Sequence, residues 1–164
     1  MTITIRSAAA ADADAICTIY NQGIADRIAT LDTALRTPAE RRVWLAERTQ
    51  RHPVIVAEVG GVVAGWASLN RFNPREAYDH VADFSVYVER SWRGKGLGTA
   101  LLERLIDLAR TIGYHKMVLA AFSSNEAGAS LYRKAGFTRV GVYREHGQLD
   151  GRWVDVVIME KLLE

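Results

Sequence analysis

Cysteine is almost missing from this chain: Cys17 stands alone among 164 residues, so no internal disulfide can form, and the composition suits a reducing cytoplasm. Long apolar runs are missing too. No stretch approaches the ~18–20 residues that span a bilayer, and Met1-Thr2-Ile3-Thr4-Ile5-Arg6 has no basic segment followed by an apolar one. The expectation is a soluble, unexported protein with no membrane partner. An excess of one charge is also lacking, since 21 basic residues face 19 acidic ones for a net charge of +2. That balance argues against a nucleic-acid surface. His52, His80 and His115 show no metal-ligand spacing with cysteine or carboxylates, so no metal is expected. With 49% hydrophobic and 24% charged residues, the 164-residue chain reads as a single globular domain over residues 1–164.

Glycine, by contrast, is concentrated where it matters. Arg93-Gly94-Lys95-Gly96-Leu97-Gly98 lies between a strand-like Phe84-Ser85-Val86-Tyr87-Val88 and an amphipathic run from Thr99 to Ile112. Three glycines in five residues let the backbone approach an anion closely, and a helix starting there points free N–H groups and its positive end at that anion. Arg93 and Lys95 add charge. A P-loop is excluded because Gly94-Lys95 is followed by Gly96 rather than by a magnesium-binding hydroxyl. A dinucleotide fingerprint is disfavoured because Thr99 falls at its third glycine.

Hydrophobic periodicity organises the rest. Ile3 and Ile5 alternate as a strand, and Ile16, Ile19, Tyr20 and Ile24 recur at helical spacing through Asp26, with Cys17 inside that rhythm as a small buried hydrophobe. Thr37-Pro38 supplies an N-cap and a proline at the first helical position, predicting a second helix through Arg51. Its basic residues, Arg41-Arg42 and Arg48 to Arg51, are expected on a solvated face. Val54 to Val59 and Val62 to Leu69 read as a hairpin turning at Gly60-Gly61. Further strands are expected at Ala82 to Val88, Lys116 to Phe122, Arg139 to Arg144 and Trp153 to Lys161, the last two split by a turn over Gly147 to Gly151. The order is β-α-α-β-β-β-α-β-α-β-β.

Arg93-x-x-Gly96-x-Gly98 resembles the pyrophosphate loop of the GCN5-related N-acetyltransferases. Asn125-Glu126-Ala127-Gly128-Ala129-Ser130-Leu131-Tyr132-Arg133-Lys134-Ala135-Gly136-Phe137 resembles that family's second signature, in the right order and at a distance that holds one helix and one strand. The resemblance implies the family's α/β (α+β) fold: a mixed, mostly antiparallel sheet flanked by helices and splayed where acetyl-CoA enters. It also implies acetyl-CoA as co-substrate, held by Arg93, Gly94, Lys95, Gly96, Leu97, Gly98 and Thr99, with Asn125, Ser130 or Lys134 along its length.

Moving an acetyl group from a thioester to an amine needs a proton acceptor, an oxyanion donor and a proton for the departing thiolate. Ala82-Asp83-Phe84-Ser85-Val86-Tyr87-Val88 resembles a Val-Glu-x-Ser-Val-Tyr-Val pattern of the phosphinothricin-type acetyltransferases, which makes Asp83 the candidate base. Asp is one methylene shorter than Glu and favours a bridging water. Backbone N–H groups over Val86, Tyr87 and Val88 are the candidate oxyanion donors, and Tyr132, at the family's tyrosine position, is the candidate acid.

Likeness to the phosphinothricin, methionine sulfoximine and arsinothricin acetyltransferases runs nearly end to end, through Ile19-Tyr20-Asn21, Gly65-Trp66-Ala67-Ser68 and Gly151-Arg152-Trp153-Val154-Asp155. It implies a glutamate-like α-amino acid as acceptor, with an oxyanion read by arginine. Arg75 and Tyr78 match the subfamily's Phe-Arg-x-Arg-x-x-Tyr pattern, Asn73 replaces its first arginine, and Arg71 stands nearby to compensate. Asp26 and Arg27 either line the site or pair with each other. His146 is expected to pack on Trp153. The resemblance also implies a homodimer through the C-terminal strands. The rivals are acetylation of protein N-termini or of another amine, and a non-catalytic acetyl-CoA sensor, which would need neither Asp83 nor Tyr132.

Overall fold

The computed structural model describes residues 1–164. Seven strands and four helices follow the expected order: β1 (Ile3–Ser7), α1 (Ala13–Asp26), α2 (Pro38–Ala46), β2 (Val54–Val59), β3 (Val62–Arg71), β4 (Val81–Val88), α3 (Leu97–Ile112), β5 (Lys116–Phe122), α4 (Glu126–Lys134), β6 (Thr138–Leu149) and β7 (Arg152–Leu162). One mixed sheet runs β1-β2-β3-β4-β5-β7-β6, and only the β4–β5 pair is parallel. The parallel step needs a crossover, which α3 supplies.

Alternation along the strands divides the core between two faces. Ile55, Ala57, Ala67, Leu69, Ala82 and Phe84 turn toward α3, where Leu97, Leu101, Leu102 and Leu105 are buried. Val54, Val56 and Trp66 turn the other way, onto Ile16, Ile19, Tyr20 and Ile24 of α1. Burying each such aliphatic side chain stabilises the fold by about 1.5–3 kcal/mol. Cys17 is buried as expected, its thiol directed at the carbonyl of Arg36 at 3.3 Å.

Gly60 and Gly61 take φ of 59° and 78°, so both occupy the left-handed region that a two-residue hairpin between right-twisted strands demands. Thr37 caps α2 by accepting from the Glu40 N–H at 3.2 Å, with Pro38 opening the helix.

Two boundaries differ from expectation. Helix α2 stops at Ala46 rather than Arg51, and residues 47 to 53 turn the chain back into β2. The Arg48 side chain closes that turn by donating to the carbonyls of His52, at 2.9 Å, and of Leu69. Strand β6 runs on to Leu149, so the turn anticipated over Gly147 to Gly151 shrinks to Asp150-Gly151, at φ of 52° and 75°. Glu145 at φ 49° absorbs the register shift between Tyr143 and Gly147, which keeps Gly147 paired with Val154.

The basic residues expected along the second helix are not a uniformly solvated face. Arg41 is buried, Arg48 is half-buried, and both guanidinium groups lie over Trp44 at 4.7 Å from its centroid. His146 stacks on Tyr143, with centroids 4.5 Å apart, rather than on Trp153.

Candidate functional site

Strands β4 and β5 pair only at Val81–Lys116, Ala82–Met117 and Asp83–Val118, and then part. Glu89 N–H donates to the Ala64 carbonyl, which sets the alternation of the β3–β4 ladder. In that alternation Phe84, Val86 and Val88 direct their N–H and C=O groups away from β3; the Phe84 N–H meets the last rung of β5, and beyond it those of Val86 and Val88 face the gap. The sheet is therefore open over the second half of β4, with unspent backbone donors along one wall.

The glycine loop closes one end of that gap. A single 3-10 turn, Arg90–Trp92, is capped by Glu89, whose carboxylate accepts from the Ser91 N–H at 2.9 Å. Gly94 and Gly96 then take φ of 76° and 90°, and α3 starts at Leu97 with no side-chain cap. The first helical bond from this turn comes from Ala100 N–H to the Gly96 carbonyl at 3.1 Å. Helix geometry thus leaves the N–H groups of Leu97, Gly98 and Thr99 without partners at the positive end of a 16-residue helix. Gly98 is a glycine for space as well: a Cβ there would lie 3.3 Å from Leu131.

A cavity of about 420 Å³ fills the space between loop, β4 and α4. It brings together the expected residues Val86, Tyr87, Val88, Arg93, Gly94, Gly96, Gly98, Thr99, Asn125, Ser130 and Tyr132, with Lys134 beside them. Leu97 contributes only backbone, because its side chain is buried in the core. Lys95 leans over the Trp92 ring, 5.0 Å from its centroid, outside the cavity wall. The glycine-floored cavity, with free N–H groups at a helix N-terminus, has the donors that a pyrophosphate requires.

The end of α1 is clamped to this loop. Asp26 receives Arg90 at 2.8 Å and Arg93 at 2.7 Å, and the two guanidinium groups hold its carboxyl below the ordinary range. Arg27 pairs instead with Asp150 at 2.9 Å, so Asp26 and Arg27 do not pair with each other. Asn125 caps α4 by accepting from the Gly128 N–H at 3.0 Å and donates to the Ile28 carbonyl at 3.4 Å. Ile28 and Ala29, on the segment between α1 and α2, consequently line the cavity. Sequence reasoning missed them, since that segment has no periodicity to read. Gly23 also lines it, and a signal existed there: a glycine inside a helix, where a Cβ would meet the Tyr87 ring at 3.2 Å.

Asp83 sits on the last paired position before the strands part. It has no ion pair, and burial pushes its carboxyl up to about 6, against a smaller opposing effect of the Phe84 N–H. Tyr132 packs edge-on against Phe84 and Phe137, at 5.9 and 6.3 Å between centroids. Burial first, and the Asp83 charge second, push its phenol up, so it stays protonated at neutral pH. The Asp83 charge thus reaches the Tyr132 phenol, which lines the cavity, while Asp83 itself lies outside the cavity wall.

The four residues expected to read the acceptor are elsewhere. Arg71, Asn73, Arg75 and Tyr78 belong to the segment joining β3 to β4, outside the cavity wall. Arg71 donates to the Pro74 carbonyl at 3.1 Å, Asn73 accepts from the Arg75 N–H at 2.9 Å, and the Phe72 and Tyr78 rings meet edge to face. Arg71 and Tyr78 face a separate small pocket of about 180 Å³ with Arg51, His52 and Tyr114. Arg75 is exposed.

The model of the Acetyltransferase (GNAT) family matches residues 21–137, and the chain belongs to that family. It is 38% identical over its whole length to the L-methionine sulfoximine/L-methionine sulfone acetyltransferase of Pseudomonas aeruginosa, covering 96% of that protein. Among solved structures, the phosphinothricin acetyltransferase of Sinorhizobium meliloti in complex with acetyl-CoA superposes with a TM-score of 0.94 at 32% identity, over 99% of this chain and 89% of the other. The ribosomal-protein-alanine N-acetyltransferase of Brucella melitensis superposes at 0.95 with 37% identity, over 98% and 99%. The chain is thus an acetyltransferase by family, with a mixed α/β fold shared by these enzymes.

Proposed function

We propose that this protein acetylates the α-amine of a small glutamate-like amino acid or analogue, such as phosphinothricin, methionine sulfoximine or arsinothricin, with acetyl-CoA as donor. The observation that carries it is the unpaired, elevated carboxyl of Asp83 at the point where β4 and β5 separate, next to the Tyr132 phenol that its charge perturbs and that lines the glycine-floored cavity. Named relatives acting on methionine sulfoximine and phosphinothricin support the acceptor class. Homodimerisation and a cytoplasmic location belong to the same proposal.

Acetyl-CoA, when bound, supplies an acetyl group already activated as a thioester. The N–H groups of Leu97, Gly98 and Thr99 and the Arg93 side chain would hold its pyrophosphate, and Asn125 and Ser130 would flank the arm. Asp83 accepts a proton from the acceptor's ammonium, directly or through one water. Its elevated carboxyl makes it a better base than an exposed aspartate, while more than half of it remains ionised at pH 7. The N–H groups of Val86 and Val88 face the gap and stabilise charge that develops on a carbonyl oxygen there. Tyr132 keeps its phenolic proton and presents it to the departing sulfur.

Release of free CoA with an amine panel tests this. Turnover is expected with phosphinothricin, methionine sulfoximine and arsinothricin, and not with glutamate, spermidine or a peptide beginning with alanine. Turnover on the peptide alone would replace the proposal with protein N-terminal acetylation. Tight acetyl-CoA binding with no turnover on any amine would replace it with a sensor.

A further inference from the structure

Gln22 and Asp26, one helical turn apart on the same face of α1, both reach the glycine loop. Gln22 holds its backbone: Oε1 accepts from the Arg90 N–H at 2.9 Å, and Nε2 donates to Glu89 at 3.0 Å. Asp26 holds its charges. Both carboxylate oxygens accept from the Arg90 guanidinium, at 2.8 and 3.0 Å, and Oδ2 also accepts from Arg93 Nη1 at 2.7 Å. Two guanidinium groups around one carboxylate leave this cluster net positive. Arg90 is exposed, whereas Arg93 is half-buried and lines the cavity together with Gly94, Gly96, Gly98 and Thr99.

Little else fixes Arg93. Its Nε lies 3.4 Å from the Val88 carbonyl, at the long limit of a hydrogen bond, and its Nη2 donates to no group of the protein. An arginine gives up rotamer freedom when it settles on a phosphate. A carboxylate that fixes one edge of the fork beforehand removes that cost and leaves the other donors for the ligand. Lys95, the neighbouring cation of the loop, leans over Trp92 outside the cavity wall instead. Resting on acetyl-CoA as the donor proposed above, we infer that Asp26 is a positioning residue for the cofactor: it preorganises Arg93 at the cavity wall, so that the remaining donors of the guanidinium meet the pyrophosphate. The sign of the effect separates this role from plain electrostatics. Asp26 is an anion beside the seat of another anion, so charge alone makes its removal strengthen acetyl-CoA binding. Preorganisation makes its removal weaken binding.

A double-mutant cycle on acetyl-CoA affinity, measured by calorimetric titration, tests it with wild type, Asp26→Asn, Arg93→Met and the double variant. Asp26→Asn is expected to bind acetyl-CoA roughly 5- to 20-fold more weakly, and Asp26→Glu to recover part of that loss. In the Arg93→Met background, Asp26→Asn should cost nothing further, because the side chain it positions is gone. Tm should move by no more than about 3 °C in Asp26→Asn, since ion pairs this accessible contribute little to stability. Where an amine is turned over, the KM for acetyl-CoA should rise while kcat at saturating acetyl-CoA stays within about twofold, because Asp83 and Tyr132 are untouched. Unchanged or tighter acetyl-CoA binding by Asp26→Asn would overturn the inference, as would a loss of equal size in the Arg93→Met background. If no amine of the panel is turned over, the proposed acceptor fails, yet the binding cycle still decides the role of Asp26. If wild type binds no acetyl-CoA, the donor and the inference fail together.

Discussion

Asp83→Asn should make the protein more stable and nearly inactive, and the two effects should share one pH dependence. Burial raises the Asp83 carboxyl from the ordinary 3.8 to about 6 in the fold, a preference for the neutral form worth about 3 kcal/mol. Because the folded value lies above the unfolded one, the stability Asp83 contributes is fully present below about pH 4. It is lost as pH rises through about 6, so at pH 8 the ionised side chain is a liability. The amide is neutral throughout. The variant should therefore match wild type near pH 4 and exceed it at pH 8 by about 1–3 kcal/mol, the lower figure allowing for imperfect hydrogen bonding of the amide. For a chain of this length that is about 3–10 °C in Tm. Wild-type kcat/KM should rise with pH through about 6 as the base ionises. The variant should lose that limb and about 10²- to 10⁴-fold in rate. Thermal melts and pH–rate profiles on both proteins measure everything required. A variant less stable than wild type at pH 8, or one that keeps the acidic limb, would refute the assignment of Asp83 as a desolvated base.

Tyr132→Phe preserves the edge contacts to Phe84 and Phe137, so Tm should hold while kcat falls about 10²-fold and the limb near pH 6 persists; an unchanged kcat would remove Tyr132 as the acid. Gly96→Ala forces an L side chain to φ 90°, which costs about 1–2 kcal/mol and tilts the free N–H groups of α3, so calorimetric titration should show acetyl-CoA bound at least 10-fold more weakly. Arg75→Ala, on an exposed loop, should shift stability by no more than about 0.5 kcal/mol and leave acetyl-CoA binding unchanged. A large rise in acceptor KM for Arg75→Ala would assign the reading of the acceptor's oxyanion to that loop.

Periodicity and turn chemistry carried most of the fold. Alternation placed β2 and β3 to within two residues, and Gly60-Gly61 specified its own hairpin because only left-handed backbone closes it in two residues. The extension of α2 to Arg51 failed because the helical pattern of side chains continues past Ala46, where the backbone already turns toward β2 and Arg48 ties that turn to the His52 and Leu69 carbonyls. The turn expected over Gly147 to Gly151 shrank because Gly147, Gln148 and Leu149 pair with β7, which leaves only Asp150-Gly151 to turn the chain.

What the sequence by itself determined was whatever depends on neighbours along the chain: the run of elements, the free N–H groups after Gly96, and the cap at Thr37. Local sterics and hydrogen bonding settle these within a turn or two. The tertiary structure alone decided where β4 leaves β5, which opens the site, and how far burial lifts Asp83. It also decided that Asp26 clamps Arg90 and Arg93 rather than Arg27, and that Arg41, one of two adjacent arginines on α2, packs against three aromatic rings. Desolvation and ion pairing depend on what packs from distant parts of the chain, and no local pattern of residue types encodes that.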